Sequence, residues 1–267
     1  MIEYQKLIQE RHAVVNIKHR PIINRVEIEL ISYCNLKCFA CNRFCTNAPT
    51  NDQMSVSQIE TFVRDSIDFK KKWENIAVMG GEPSLHPDLK DILKIIKRYY
   101  DFYNTRITFI SNGIGEKVKS VLNSLPAFLE KHTTTDIKMT RDKNNIIPEF
   151  GNCLQAPIDR LKSISRNGVI DSCQIAATCG MGLNRYGYGP CGVGASIARV
   201  LGIDLYAKSL RDISVEKSIE QLKILCLFCG RNLEYNITCK QNSTISEFWK
   251  LALENYKINK PLLALCK

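Results

Sequence analysis

Long hydrophobic runs are missing from the 267-residue sequence. No segment approaches the roughly 20 apolar residues that a membrane-spanning helix requires. The N-terminal stretch is charged and lacks the apolar core of a secretory signal, so the chain is expected in the cytoplasm. Internal repeats and low-complexity segments are absent. So are zinc-finger, RRM and helix-turn-helix signatures, which leaves nucleic-acid binding with little support. Nor is there a shortage of apolar residues: 45% hydrophobic and 24% charged residues exclude a disordered chain. A chain this long can bury a sizeable core without disulfide staples. What is abundant is cysteine, with 12 residues. In a cytoplasmic chain so many thiols point to metal binding or catalysis rather than to disulfides. The net charge of +10 favours an anionic partner without choosing among nucleic acid, an acidic peptide and a phosphorylated metabolite. The basic residues are scattered, and the longest run, Lys70-Lys71-Lys72, reads as a solvated helix end.

Residues 1–25 are polar and mixed, a lead-in segment. Residues 25–30 alternate apolar and polar side chains as a half-buried strand does, and they run into a cysteine-rich loop at 34–45. Ser57 with Glu60 has the form of a capping box ahead of Ile59, Phe62, Val63 and Ile67 at helical spacing. Residues 75–79 read as a buried strand stopped by Gly80-Gly81. Pro87 opens a helix with Leu89, Ile92, Leu93 and Ile96 on one face. Residues 106–110 form a third strand, and Val118, Val121 and Leu122 mark another helix. Residues 135–139 are a fourth strand, and Gly168-Val169-Ile170 begin a fifth. Strands alternating with helices predict βα units around a parallel sheet. Beyond about residue 170 the texture changes: glycines and cysteines cluster, and a last helix capped near Ser243 carries Ile245, Phe248 and Trp249.

Cys34, Cys38 and Cys41 are spaced C-x3-C-x2-C. Three thiolates from one tight loop can hold three irons of a [4Fe–4S] cluster and leave the fourth iron open. Structural zinc, with Cys45 as fourth ligand, is the competing reading. A strand followed by this loop resembles the radical S-adenosylmethionine (SAM) superfamily. The family's aromatic stands just before the third cysteine; here Ala40 holds that place and Phe39 lies beside it. Gly80-Gly81-Glu82-Pro83 is similar to the family's GGEP motif, which meets the amino group of SAM. Ser111-Asn112-Gly113 is similar to its turn beside the ribose. The resemblance covers roughly residues 26–140. It implies a partial (β/α)6 parallel barrel over residues 26–170, of class α/β. It also implies a [4Fe–4S] cluster on Cys34, Cys38 and Cys41, and SAM contacts from Phe39, Gly80, Gly81, Glu82, Ser111, Asn112 and Gly113. Reductive cleavage of SAM to a 5′-deoxyadenosyl radical follows, with an electron donor such as flavodoxin or ferredoxin.

A second cysteine set lies further on. Cys226-x2-Cys229 has the form of a metal clip, and Cys173 and Cys191 flank a glycine-rich stretch as they would a hairpin. Gly187-Tyr188-Gly189-Pro190-Cys191 resembles the opening of the twitch domain, a shortened SPASM domain, although Tyr186 stands where that pattern has glycine. The resemblance implies a small C-terminal twitch-like domain over residues 171–267. It would carry one auxiliary [4Fe–4S] cluster on Cys173, Cys191, Cys226 and Cys229. Cys179 competes for a ligand place, zinc competes for the site, and Cys153, Cys239 and Cys266 read as ordinary thiols or a hydrogen-atom donor. In size and cysteine layout the chain resembles aminocyclitol dehydrogenases among twitch enzymes. Three functions stay open: radical oxidation or epimerisation of a small polar metabolite, modification of a precursor peptide, and zinc-dependent binding. Lys138, Arg141 and Arg185 are candidate anion contacts, with solvated surface charge as the alternative.

Overall fold

A computed structural model of the chain describes residues 4–133, 139–142, 145–148, 151–161, 169–232 and 244–266. A short helix, α1 (Tyr4–Glu10), and strand β1 (Val14–Asn16) lead into β2 (Arg25–Glu29). Three helix–strand steps follow: α2 (Val56–Asp68) to β3 (Asn75–Met79), α3 (Leu89–Tyr103) to β4 (Arg106–Ser111), and α4 (Glu116–Asn123) to β5 (Glu130–Thr133). Strands β2 to β5 are parallel neighbours, with Val26 opposite Ile76 and Ile76 opposite Ile107. Strand side chains alternate between faces. Val26, Ile28, Ile76, Val78, Ile107 and Phe109 therefore share one face and pack on Ile59, Phe62, Val63, Ile92 and Ile96 of α2 and α3. Glu27, Glu29, Ala77, Met79, Thr108 and Ile110 take the opposite, inner face. Trp73 closes the core's lower edge, its indole N–H donating to Ser66 Oγ at 3.0 Å. The chain bends there because Lys70 takes a left-handed φ of 53° after α2, and the Lys71 amine lies over the Trp73 ring.

Next come a hairpin, β6 (Met139–Asp142) with β7 (Asn145–Pro148), a turn of helix α5 (Pro157–Arg160), and β8 (Val169–Asp171). Beyond α6 (Ile175–Thr178) the hairpin β9 (Met181–Asn184) and β10 (Gly187–Gly189) returns to the main sheet. There β9 lies parallel to β2, giving the order β10-β9-β2-β3-β4-β5. The sheet is open, a partial barrel of five parallel strands and one antiparallel edge strand. Helices α7 (Gly192–Leu201), α8 (Val215–Leu225) and α9 (Glu247–Ile258) build a second core around Phe228, Phe248 and Trp249. Phe228 stacks on Phe248 at 4.6 Å, and the Trp249 indole donates to the Phe228 carbonyl at 2.8 Å. No helix among the described residues is long and apolar enough to cross a membrane.

Several local expectations need correction. The cap of α2 is Ser55, not Ser57: Ser55 Oγ accepts from Gln58 N–H and Gln58 Oε1 accepts from Ser55 N–H, a complete capping box two residues earlier. Buried Met54 sets this entry point. The expected strand at 135–139 falls, Met139 apart, outside the described residues, as does Gly168. Val169 and Ile170 do not extend the main sheet. They pair with Val14 and Val15, so that Val15 and Ile170 enter the second core. The last helix begins after Ser246, leaving Ile245 ahead of it; Ser243 lies outside the described residues.

Candidate functional site

The cysteine loop, the Gly-Gly turn and the Ser-Asn-Gly turn follow β2, β3 and β4, so parallel pairing brings them to one end of the sheet. Backbone hydrogen bonds lash the first two together. Gly81 N–H donates to the Ile31 carbonyl at 2.6 Å and Glu82 N–H to that of Tyr33 at 2.9 Å. A Cβ on Gly80 would stand 2.5 Å from the Ile31 oxygen, and one on Gly81 would collide with the Tyr33 carbonyl. What approaches these glycines is the chain's own loop, so they are needed before any ligand arrives.

Glu82 is fully buried. Its Oε1 accepts from Ser84 N–H at 3.1 Å, from Ser84 Oγ at 2.7 Å and from Ser111 Oγ at 2.9 Å, while Oε2 accepts from Asn112 N–H at 2.7 Å. The sequence suggests an acceptor for an ammonium group. In the fold the carboxylate is first a strut between two strand ends. Asn112 extends it: Nδ2 donates to Asn35 Oδ1 at 2.8 Å and reaches Cys34 Sγ at 3.7 Å, and Oδ1 accepts from Ile114 N–H at 2.8 Å. Asn35 Nδ2 donates in turn to the Ile114 carbonyl at 2.8 Å. Gly113 takes a φ of 68° in this turn. Phe39 is half-buried and rests on the second core.

The three thiols of the first loop are electrostatically linked. Burial pushes Cys34 up to about 11 and Cys38 up to about 12, each raised further by Cys41. Cys41 moves the other way, to about 6, because the Cys45 thiol hydrogen-bonds to it. Cys45, the fourth ligand of the zinc alternative, is thus buried against Cys41, with its sulfur 3.8 Å from the Arg43 carbonyl. A thiolate exists above its pKa and is the reactive form. In metal-free protein at pH 7–8, iodoacetamide should therefore label Cys41 well ahead of Cys34 and Cys38. Peptide mapping after brief exposure checks this, and equal labelling of the three would refute it.

Cys173, Cys191, Cys226 and Cys229 line one cavity of about 390 Å³, open mouth included, with Arg231 at its wall. The hairpin of β9 and β10 lies between the first two. Cys191 caps α7, its sulfur accepting from Gly194 N–H at 3.2 Å. Burial, and then the neighbouring thiols, push Cys191 and Cys226 up; burial, then Cys173, raises Cys229 to about 12. Four uncrosslinked thiols, with Cys191, Cys226 and Cys229 held from ionising, suit a centre whose cations offset the charge. They ring a cavity, and among the described residues no three such groups close on a single ion. A cube with an iron for each sulfur fits this donor set. Cys179 is exposed and does not line the cavity. Cys239 and Lys138 lie outside the described residues, and of Arg141 only the backbone is described. Arg185 pairs with Asp52 at 3.3 Å.

Two contributors escape sequence reasoning. Buried Cys153 directs its sulfur to the Ala40 carbonyl at 3.2 Å, holding a turn in which Ala40 has a φ of 48°. Arg43, between two cysteines of the first loop, is buried against Glu27 at 2.6 Å. No local pattern announces either, since both partners come from distant segments.

The model of the Radical SAM superfamily matches residues 28–180. Curated relatives include a probable GTP 3',8-cyclase of Methanococcus aeolicus, 32% identical over 96 residues, 36% of this chain and 31% of the relative. The probable GTP 3',8-cyclase of Thermoplasma volcanium is 33% identical over 102 residues, 38% of this chain and 29% of the relative. The chain thus spans about a third of the length of the curated relatives it matches. Among solved structures, BtrN in complex with AdoMet and 2-DOIA aligns with 84% of this chain and 99% of its own, at 15% identity and a TM-score of 0.47. Streptococcus suis SuiB bound to S-adenosylmethionine aligns with 48% of this chain and 27% of its own, at 17% identity and a TM-score of 0.32. With a family model spanning more than half its length, from the strand before the cysteine loop to the hairpin, the chain belongs to the radical SAM superfamily, whose members work with a [4Fe–4S] cluster and SAM.

Proposed function

We propose that this protein removes hydrogen from a small polar metabolite and oxidises it, as a cytoplasmic radical SAM dehydrogenase. In this reading residues 26–170 form the catalytic unit and residues 171–267 the auxiliary unit. Cys34, Cys38 and Cys41 hold the cluster that binds SAM; Cys173, Cys191, Cys226 and Cys229 hold a second. When bound, the first cluster and SAM supply the hydrogen-abstracting chemistry. The chain's own residues do the rest. Asn35 and Asn112 fix the cysteine loop to the turn after β4, and Phe39, Ser111 and Gly113 border the place for SAM. Gly80 and Gly81 keep the backbone close enough to complete that wall. Met79, Ile110 and His132 form a row across the inner face at the same end of the sheet, where the substrate would lie.

The observation that carries the reading is the cavity ringed by four thiols. Four protein ligands leave a four-iron centre no open corner for substrate, which suits it to accepting an electron. Held by Cys173, Cys191, Cys226 and Cys229, such a centre would supply the one-electron acceptor that a carbinol radical needs to become a carbonyl as its hydroxyl proton passes to solvent. Epimerisation would need a thiol poised to return hydrogen. Among the described residues Cys153 is committed to Ala40 and Cys266 to the Lys208 carbonyl. The charge of +10 and the GTP 3',8-cyclase relatives favour a phosphate- or nucleotide-bearing substrate over a bare sugar or aminocyclitol. Anaerobic reconstitution tests the ligand set: the protein should hold about eight irons, and the Cys226→Ala/Cys229→Ala variant about four. An unchanged iron content in the variant would remove the auxiliary assignment.

A further inference from the structure

We propose that Arg43 is a positioning residue shared by the two thiol sets, its buried guanidinium raising the reduction potential of the centre on either side. The inference rests on the reading that each set holds a cluster. Arg43 follows Cys41 in the first loop and turns inward, where the residue is only 4% exposed. Its Nη2 donates to Glu27 Oε2 at 2.6 Å and reaches Met79 Sδ at 3.1 Å, so the guanidinium lies across the inner face between β2 and β3. On its other side stands Gly192, the residue after Cys191. Any Cβ there would strike both Arg43 Nη1 and Glu27 Oε2. The start of α7 thus packs directly on the ion pair, and only glycine leaves room for it.

The same cation is felt in both directions. Cys41 lies two residues before it in the loop, Cys191 lies one residue before Gly192 at the cap of α7, and the surroundings hold the guanidinium ionised. Glu27 and Glu29 contribute to that as well, with Glu29 held by Ser32 Oγ at 2.7 Å and Ser196 Oγ at 3.1 Å. Beyond that ion pair the guanidinium is not saturated, for Arg43 Nε is buried without a partner. The backbone is fixed from behind by Arg199, whose Nη2 donates to the Arg43 carbonyl at 3.2 Å. A fixed positive charge in a poorly solvated site favours an added electron nearby. One cation between two centres therefore moves both potentials together.

Potentiometric titration of the reconstituted protein, followed by electron paramagnetic resonance and with dithionite as reductant, tests this on wild type, Arg43→Met and Glu27→Gln. Arg43→Met should lower the midpoint potentials of both centres. Glu27→Gln keeps the hydrogen bond to Arg43 but leaves its charge uncompensated, so it should raise both. If Arg43→Met does not fold, the upward pair of shifts in Glu27→Gln decides the matter alone. Two assembled centres of which one or neither moves would overturn the inference while leaving the cluster assignment intact. A wild-type protein that assembles fewer than two centres would overturn both.

Discussion

Replacing Cys34, Cys38 and Cys41 together by alanine is expected to abolish formation of 5′-deoxyadenosine and to halve the bound iron, from about eight to about four per chain. The effect should be complete because the three sulfurs are the only cysteines on the loop that the Gly-Gly and Ser-Asn-Gly turns enclose, save Cys45, which serves Cys41. The fold should survive. The loop is held by backbone bonds from Gly81 and Glu82 and by the Asn35–Asn112 pair, none of which uses a thiol. Near-native circular dichroism with half the iron and no deoxyadenosine is the predicted result. Residual SAM cleavage above the background of chemically reduced, cluster-free protein would refute the assignment.

The second large effect is expected at Glu82. Its two oxygens take four donors, all from the chain and all buried. In Glu82→Gln one oxygen becomes an NH2 group. Either that group faces Asn112 N–H, or it faces Ser84 and Ser111, so at least one buried donor loses its acceptor. An unmatched buried donor costs on the order of 1–3 kcal/mol, and loss of the charge weakens the bonds that remain. We expect a total near 3 kcal/mol, which for a chain of this size lowers Tm by roughly 10 °C. SAM affinity should fall as well, because the strut joins the two turns assigned to SAM. Thermal unfolding followed by fluorescence, with equilibrium dialysis of labelled SAM, measures both. A variant that melts and binds as wild type would show that the carboxylate holds nothing together.

The strands and helices between residues 25 and 112 were legible because their signals are local, whereas α1 and β1 fall in what reads as a lead-in segment. Val26 and Ile28 alternate with Glu27 and Glu29, and Ile92, Leu93 and Ile96 recur with the helical period; the apolar residues of both patterns are buried, and Glu29 is buried as well. Cysteine spacing is equally local, and Cys173, Cys191, Cys226 and Cys229 line one cavity. Pairings between distant segments were not legible. Val169 reads as a strand, but nothing in its neighbours says that Val14 is its partner. The glycines after β3 look like room for a ligand, although the object they accommodate is the Ile31–Tyr33 backbone. Arg43 looks like one more surface charge until β2 and α7 close over it. In each case the deciding contact is set by topology, which periodicity does not encode.

The ladder between β9 and β2 has a mechanical consequence. Cys34 lies just beyond the end of β2, and Cys191 just beyond the hairpin that β9 begins. Adjacent strands stand about 4.8 Å apart and do not stretch. The loop that carries Cys34 and the hairpin that leads to Cys191 are therefore held on one continuous sheet. Tunnelling declines steeply with distance, so electron passage between them would proceed at a rate set by architecture.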